Sequence, residues 1–259
     1  MHRPLTDGEL YRFAPSIFAQ EKHGSRSEQY TYIPTIEVVN GLRKEGFQPF
    51  LATQSRARDE TKRSYTKHMI RLRHENQLAD KEACEIVLIN SHDGTSSYQM
   101  MCGIFRFVCE NGMVLGDTVE DIRIPHRGDI VGSVVDAAYS IVDDFDTAQE
   151  SLETMKSTRL ALPEAEAFAA AALTLKYDDV EKAPISPVQA LSVRRRADEG
   201  NDLWTIFSRI QENVIKGGQR GRSSSGRRVS TRPVKSIDNN IKLNKALWVL
   251  ATQMSALKN

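Results

Sequence analysis

No stretch of this sequence approaches the roughly 20 consecutive apolar residues that a membrane-spanning helix needs, so an integral membrane helix is not expected. Cysteine is scarce. Cys84, Cys102 and Cys109 form no CxxC pair, and their odd number argues against a disulfide scaffold. Histidine stops at His126, and the earlier ones show no paired short spacing of the kind a structural zinc site uses. Neither sign of charge dominates, with 35 basic against 34 acidic residues, so any attraction to a polyanion has to be local. The opening residues, MHRPLTDGEL, contain no apolar core of a signal peptide, and the expected location is cytoplasmic.

Signatures of catalysis are also missing. The Ser-rich stretch has no GxSxG elbow, and no Cys sits in a nucleophile signature. Gly221 to Arg228, GRSSSGRR, misses the phosphate-loop pattern, because Arg227-Arg228 stand where Lys and then Ser or Thr are required. Asp143, Asp144 and Asp146 lack the spaced oxygens of a cation loop and read as a solvated helix face. No cofactor, metal site or catalytic residue is assigned, and an enzyme is the less favoured class. Its best candidate pair is His92-Asp93 in SHDGTSS, with Cys102 and Cys109 nearby; the plainer reading is a polar hairpin loop beside small buried thiols.

What is present is an ordinary globular composition, 40% hydrophobic and 27% charged over 259 residues, enough for one large domain or two small ones. In YIPTIEVVNGLRKEG, Pro34 suits a first helical turn, Glu37 and Arg43-Lys44 match the dipole, and Gly46 can close the helix left-handed. FQPFLAT then reads as extended. In YTKHMIRLRH, Thr66, His68, Ile70 and Leu72 alternate with Tyr65, Lys67, Met69, Arg71 and Arg73. EIVLIN and YQMMCGIFRFVC are two further strands, and Asn111-Gly112 signals a tight turn into a short strand at 113–115.

After Pro125 the period changes. Ile130, Val134, Ala138, Ile141 and Phe145 mark a helix starting near Asp129. Pro163, Ser186-Pro187 and Leu203 open further helices, and the last runs from about 236 to 256. The expected fold class is α+β, an N-terminal helix plus an antiparallel sheet of about four or five strands, followed by a helical C-terminal half. The expected division is 1–125 for the sheet unit and 126–259 for the helical region, with one continuous domain as the alternative.

Two basic segments carry the functional reading. In SRARDETKRSYTKHMIRLRH, Arg56, Arg58, Lys62, Arg63, Lys67, Arg71 and Arg73 face only two carboxylates. As a strand, Lys67, Arg71 and Arg73 leave one face beside Tyr65, which suits a single-strand groove: cations for phosphates and a ring for a base. The plainer reading is a solvated sheet face. The second segment, KGGQRGRSSSGRRVSTRPVK, has seven cations in twenty residues and no carboxylate. It reads as a long irregular connection between the last two helices, where Lys216, Arg220, Arg222, Arg227, Arg228 and Arg232 can fold onto a phosphate backbone. The plainer reading is a flexible basic linker.

YTYIPT, EGFQPF, YTKHMIRLR, NSHDGTSSYQM, PHRG at 125–128, RRR at 194–196, DLW at 202–204 and NNIKLNKALWV together resemble the YfjQ/YafZ/YubP proteins. The resemblance covers almost the whole chain. It implies a protein of bacterial prophages and conjugative plasmids, within a broader plasmid- and phage-like domain of unknown function, and brings no catalytic residue or cofactor with it. Such a context favours handling of DNA or the defeat of host defences. A helix followed by a basic hairpin is also compatible, by analogy alone, with the single-strand annealing proteins.

Three expectations follow. The first is a non-enzymatic DNA-binding protein with single-strand preference, acting in recombination or in maintenance of a plasmid or prophage. The second is an interaction module that antagonises a host defence or restriction system through a host protein partner, using the acidic face from Asp143 to Glu153. The third is an enzyme built on His92 and Asp93.

Overall fold

The structure, a computed structural model, describes residues 3–20, 33–57, 60–75, 81–116 and 121–258. Two compact units emerge, one of residues 1–112 and 119–146, the other of residues 113–118 and 147–259. The first unit therefore runs about twenty residues past the expected boundary and takes in the helix that opens at Asp129.

The first unit starts with α1 (Asp7–Phe13), set by a capping box in which Thr6 Oγ1 accepts from Glu9 N and the Glu9 carboxylate accepts from Thr6 N. Helix α2 (Thr35–Lys44) buries Val38, Val39 and Leu42 and closes at Gly46, whose φ of 86° is the expected left-handed stop. The chain then enters β1 (Phe47–Gln54), β2 (His68–His74), β3 (Glu82–Asn90), β4 (Tyr98–Arg106), β5 (Asn111–Val114) and β6 (Ile122–Ile124). The sheet runs β1-β2-β3-β4-β5, with β6 also paired to β4. Pairing is antiparallel from β1 to β4, and His68 lies opposite Asn90. Pro49 sits where the β1 register shifts, the place a strand tolerates a residue with no N–H to donate.

Helix α3 (Ile130–Asp143) is capped by Asp129, whose carboxylate accepts from Gly132 N at 2.9 Å. Its buried stripe, Ile130, Val134, Ala138 and Ile141, is the one the periodicity predicts. It lies close to α2 at Gly41, where an added Cβ would come within 2.8 Å of a Val131 methyl.

Two details depart from expectation. The turn after β4 lies at 107–110 with Glu110 at φ 48°, one step before Asn111-Gly112, which already belongs to β5. Strand β2 is buried along six of its seven residues rather than along one face.

The second unit takes in most of α4 (Phe145–Ser157), then α5 (Leu162–Tyr177), the single turn α6 (Pro187–Ala190), α7 (Leu203–Lys216), a ribbon of β7 (Arg220–Arg222) and β8 (Arg228–Ser230), and α8 (Ile237–Lys258). Its core is α7, which buries Trp204, Phe207 and Ile210; the Phe207 ring meets Trp248 of α8 edge-on at 6.1 Å. No described helix is long and apolar enough to cross a membrane.

Candidate nucleic-acid interface

The strand face expected to hold phosphates is interior. Arg71 and Arg73 are 3% and 0% exposed, and both bind one carboxylate: Glu85 accepts from Arg71 Nη1 at 2.8 Å and from Arg73 Nε at 2.7 Å. The Arg73 guanidinium lies over Phe105 at 3.9 Å and Phe50 at 4.4 Å, and Arg71 Nη2 donates to the Gly112 carbonyl. A Cβ at Gly112 would overlap the Arg71 guanidinium, which would then have to shift. The expectation that Arg71 and Arg73 form a solvent-facing cationic row is therefore corrected. Alternation predicted which face they share, but Glu85 on the neighbouring strand and the phenyl rings make that face a buried ion triad.

The other residues of that segment scatter. Tyr65 and Lys67 are half-buried, and their carbonyls accept from His92 N and Ser55 N. Arg58 and the Lys62 side chain lie outside the described residues. Arg56 and Arg63 are exposed, and they meet Arg12, Phe13, Gln54 and Ser55 around a cleft of about 310 Å³. Among the described residues, no carboxylate is ion-paired with Arg12, Arg56 or Arg63.

His92 and Asp93 are held by different hydrogen-bond partners. The buried His92 ring joins a polar network centred on the Thr35 hydroxyl, which lies 3.1 Å from His92 Nε2, 3.0 Å from His68 Nε2 and 3.1 Å from its donor Asn90 Nδ2. Asn90 Oδ1 accepts from His126 Nε2 at 3.0 Å, and His68 Nδ1 lies 2.8 Å from Ser16 Oγ. Burial pulls His68 down to about 3, with His92 adding to the effect, and pulls His92 down to about 4; His126 is lowered by burial too. Asp93 instead accepts from Thr95 N and Oγ1, closing its own loop. Burial pushes the Cys84 thiol up to about 11 and raises Cys102 as well, the reverse of what a nucleophile needs.

The second basic segment is ordered where an irregular connection was expected. Gly217 (φ 64°) ends α7, and Gly218 N and Thr231 N donate across the root of the ribbon to the carbonyls of Thr231 and Gln219. Arg220 then lies opposite Ser230, Gly221 opposite Val229 and Arg222 opposite Arg228. Gly226 at φ 77° completes the turn, and Arg222 Nη1 donates to its carbonyl at 3.0 Å. Gly221 faces the 184–185 segment so closely that any Cβ would overlap the Pro184 carbonyl, which also accepts from Arg222 N at 2.8 Å. Alternation then puts Arg220, Arg222 and Arg228 together on the opposite face, all exposed, with Arg227 exposed in the turn.

The root is fixed by polar side chains of the interior. Buried Asn213 donates to the carbonyls of Ala190 and Ser192 and accepts from Gln219 Nε2 at 2.7 Å and Arg194 Nε at 2.6 Å; Arg194 Nη2 donates to the Gly217 carbonyl. Arg195 chelates Glu212 with Nη1 and Nη2, at 2.9 and 2.7 Å, and also reaches Asp198. Burial pushes Glu212 up, but Arg195 and Lys216 together hold it below the usual carboxylate range. Lys216 is engaged there, 3.1 Å from Glu212. Arg232, Lys235 and Lys242 line a second cleft of about 450 Å³, also within this unit. The acidic residues considered for a protein partner are exposed at Asp143, the last residue of α3, and at Asp146, Glu150 and Glu153 of α4.

Residues 22–248 match a family described as "Domain of unknown function (DUF932)". The chain is also 52% identical over 249 residues to the UPF0380 protein YafZ of Escherichia coli K12, covering 96% of this chain and 91% of the relative, and equally to the UPF0380 protein YfjQ of the same strain. The chain belongs to the DUF932 family. No solved structure gives a significant match. The family assignment fits the motifs that carried the resemblance. In this DUF932 chain Arg194 of the triple arginine holds the root of the ribbon, Arg195 binds Glu212 of α7, and Asp202 of the DLW motif caps α7, accepting from Thr205 N at 2.9 Å.

Proposed function

We propose that this DUF932 protein binds nucleic acid without catalysing a reaction on it, and that the β7–β8 ribbon makes the phosphate contacts. The observation that carries the reading is the outward face shared by Arg220, Arg222 and Arg228, next to Arg227, in a segment with no carboxylate to neutralise it. A loose basic linker would have to order itself on binding, whereas this ribbon already holds its cations on a backbone hydrogen-bonded ladder. The serine hydroxyls of the turn supply further groups that can donate to phosphate oxygens. DNA of a plasmid or prophage, with roles in recombination or maintenance, is the substrate context we favour.

Double charge reversal, Arg222→Glu with Arg228→Glu, tests this. Both side chains are exposed, so the variant keeps its thermal midpoint, and affinity for labelled oligonucleotides of every sequence drops by about ten-fold or more. Unchanged affinity in a folded variant overturns the ribbon assignment.

A further inference from the structure

The geometry points to a second, separate site on the first unit: a cleft that takes one unpaired nucleotide of a single strand, its base on Phe13 and its phosphates on Arg12, Arg56 and Arg63. The inference goes beyond the ribbon, which offers cations and no ring. Phe13, the last residue of α1, is 48% exposed although most large apolar side chains of the unit are buried. Its ring opens on the cleft of about 310 Å³ whose other walls include Arg56 and Arg63, and the Arg12 guanidinium lies 5.7 Å from its centre. An exposed ring among three cations that no described carboxylate pairs is the combination that holds a base by its face and its phosphate by charge. A bare anion has no use for the ring, and a cationic ligand is repelled.

The cleft is held in shape rather than merely left over. Gln54, at the end of β1, spans it: its Oε1 accepts from Ser16 N at 2.9 Å and its Nε2 donates to the Arg63 carbonyl at 2.5 Å. That one side chain ties the turn after Phe13 to the short 3₁₀ helix (Glu60–Tyr65) that carries Arg63. The volume lies at the lower end of ligand-site sizes, which suits a single nucleotide and not a helical segment. A base inside a duplex is stacked on its neighbours and cannot lie on Phe13, so the site confers single-strand preference.

The test is fluorescence anisotropy with a fluorescein-labelled oligo-dT and a labelled duplex hairpin, using Phe13→Ala, Phe13→Trp and the ribbon variant Arg222→Glu/Arg228→Glu. Phe13→Ala is expected to weaken oligo-dT binding by about ten-fold, within the range of one lost stacking contact, and to leave duplex binding unchanged. Phe13→Trp is expected to retain affinity, with its indole fluorescence quenched by oligo-dT. Equal loss for both oligonucleotides, or no loss for either, overturns the nucleotide site. If Phe13→Ala is silent while the ribbon variant loses binding, the cleft falls and the ribbon stands. The opposite pattern removes the ribbon and keeps the cleft.

Discussion

Glu85 receives two guanidinium groups in the interior of the first unit, and this decides what Arg71 and Arg73 can do. A buried ion pair costs more to break than it contributes when whole, because the surviving charge is left without a partner in a poor dielectric. Glu85→Ala is therefore expected to destabilise the protein by about 3–5 kcal/mol in urea unfolding. A loss below about 1 kcal/mol would mean the triad is solvated. The same logic makes Arg73→Glu a folding defect rather than a binding defect. The histidine network gives a second expectation. His68 at about 3 and His92 at about 4 are both held below the ordinary value of about 6.5 that they regain on unfolding. The unfolded chain thus binds more protons below pH 6.5, so their contribution is complete above that value and is lost as pH falls towards 4. The slope is about 1.4 kcal/mol per pH unit for each histidine, and His68→Gln should flatten it in unfolding curves between pH 6.5 and 4.

At the scale of elements, the ribbon is where sequence and structure part most usefully. Helices and the central strands were legible because their apolar periods are long: Val38, Val39 and Leu42 in α2, or Ile130, Val134 and Ala138 in α3. The ribbon has only three residues per strand and almost no apolar residue, so no period exists to be read. Its order comes from Asn213, Arg194 and the close approach of Gly221 to Pro184, all tertiary. Helix α1 was missed for another reason, since its Thr6-Glu9 capping box is visible in the sequence but only Leu10 of its seven residues is buried. The burial of Arg71 and Arg73 was illegible because it depends on Glu85 arriving from a neighbouring strand. Gly221→Val should push the ribbon off its support and lower oligonucleotide affinity by about ten-fold with no charge changed, because binding then has to order the segment. Unaltered affinity would mean that the arginines work equally well on a loose loop.

For the whole molecule, a net charge of +1 conceals a segregated distribution. Acidic side chains stand out on α4, Arg71, Arg73 and Arg106 are buried, and seven cations fall in the twenty residues around the ribbon without one carboxylate. Affinity for a polyanion then depends on local contacts and not on the field of the whole protein, so salt should control it steeply. Both basic surfaces, the ribbon and the Phe13 cleft, belong to separate compact units, and their contributions are expected to be separable by mutation. The measurement that bears most directly on this account is the salt dependence of oligonucleotide binding by anisotropy, on the wild-type chain and on Arg222→Glu/Arg228→Glu. About six phosphate contacts predict a log–log slope of roughly −4 to −5, reduced in magnitude by about 1.5 in the variant. A slope near zero, no binding at low salt, or the same slope in both proteins would contradict it.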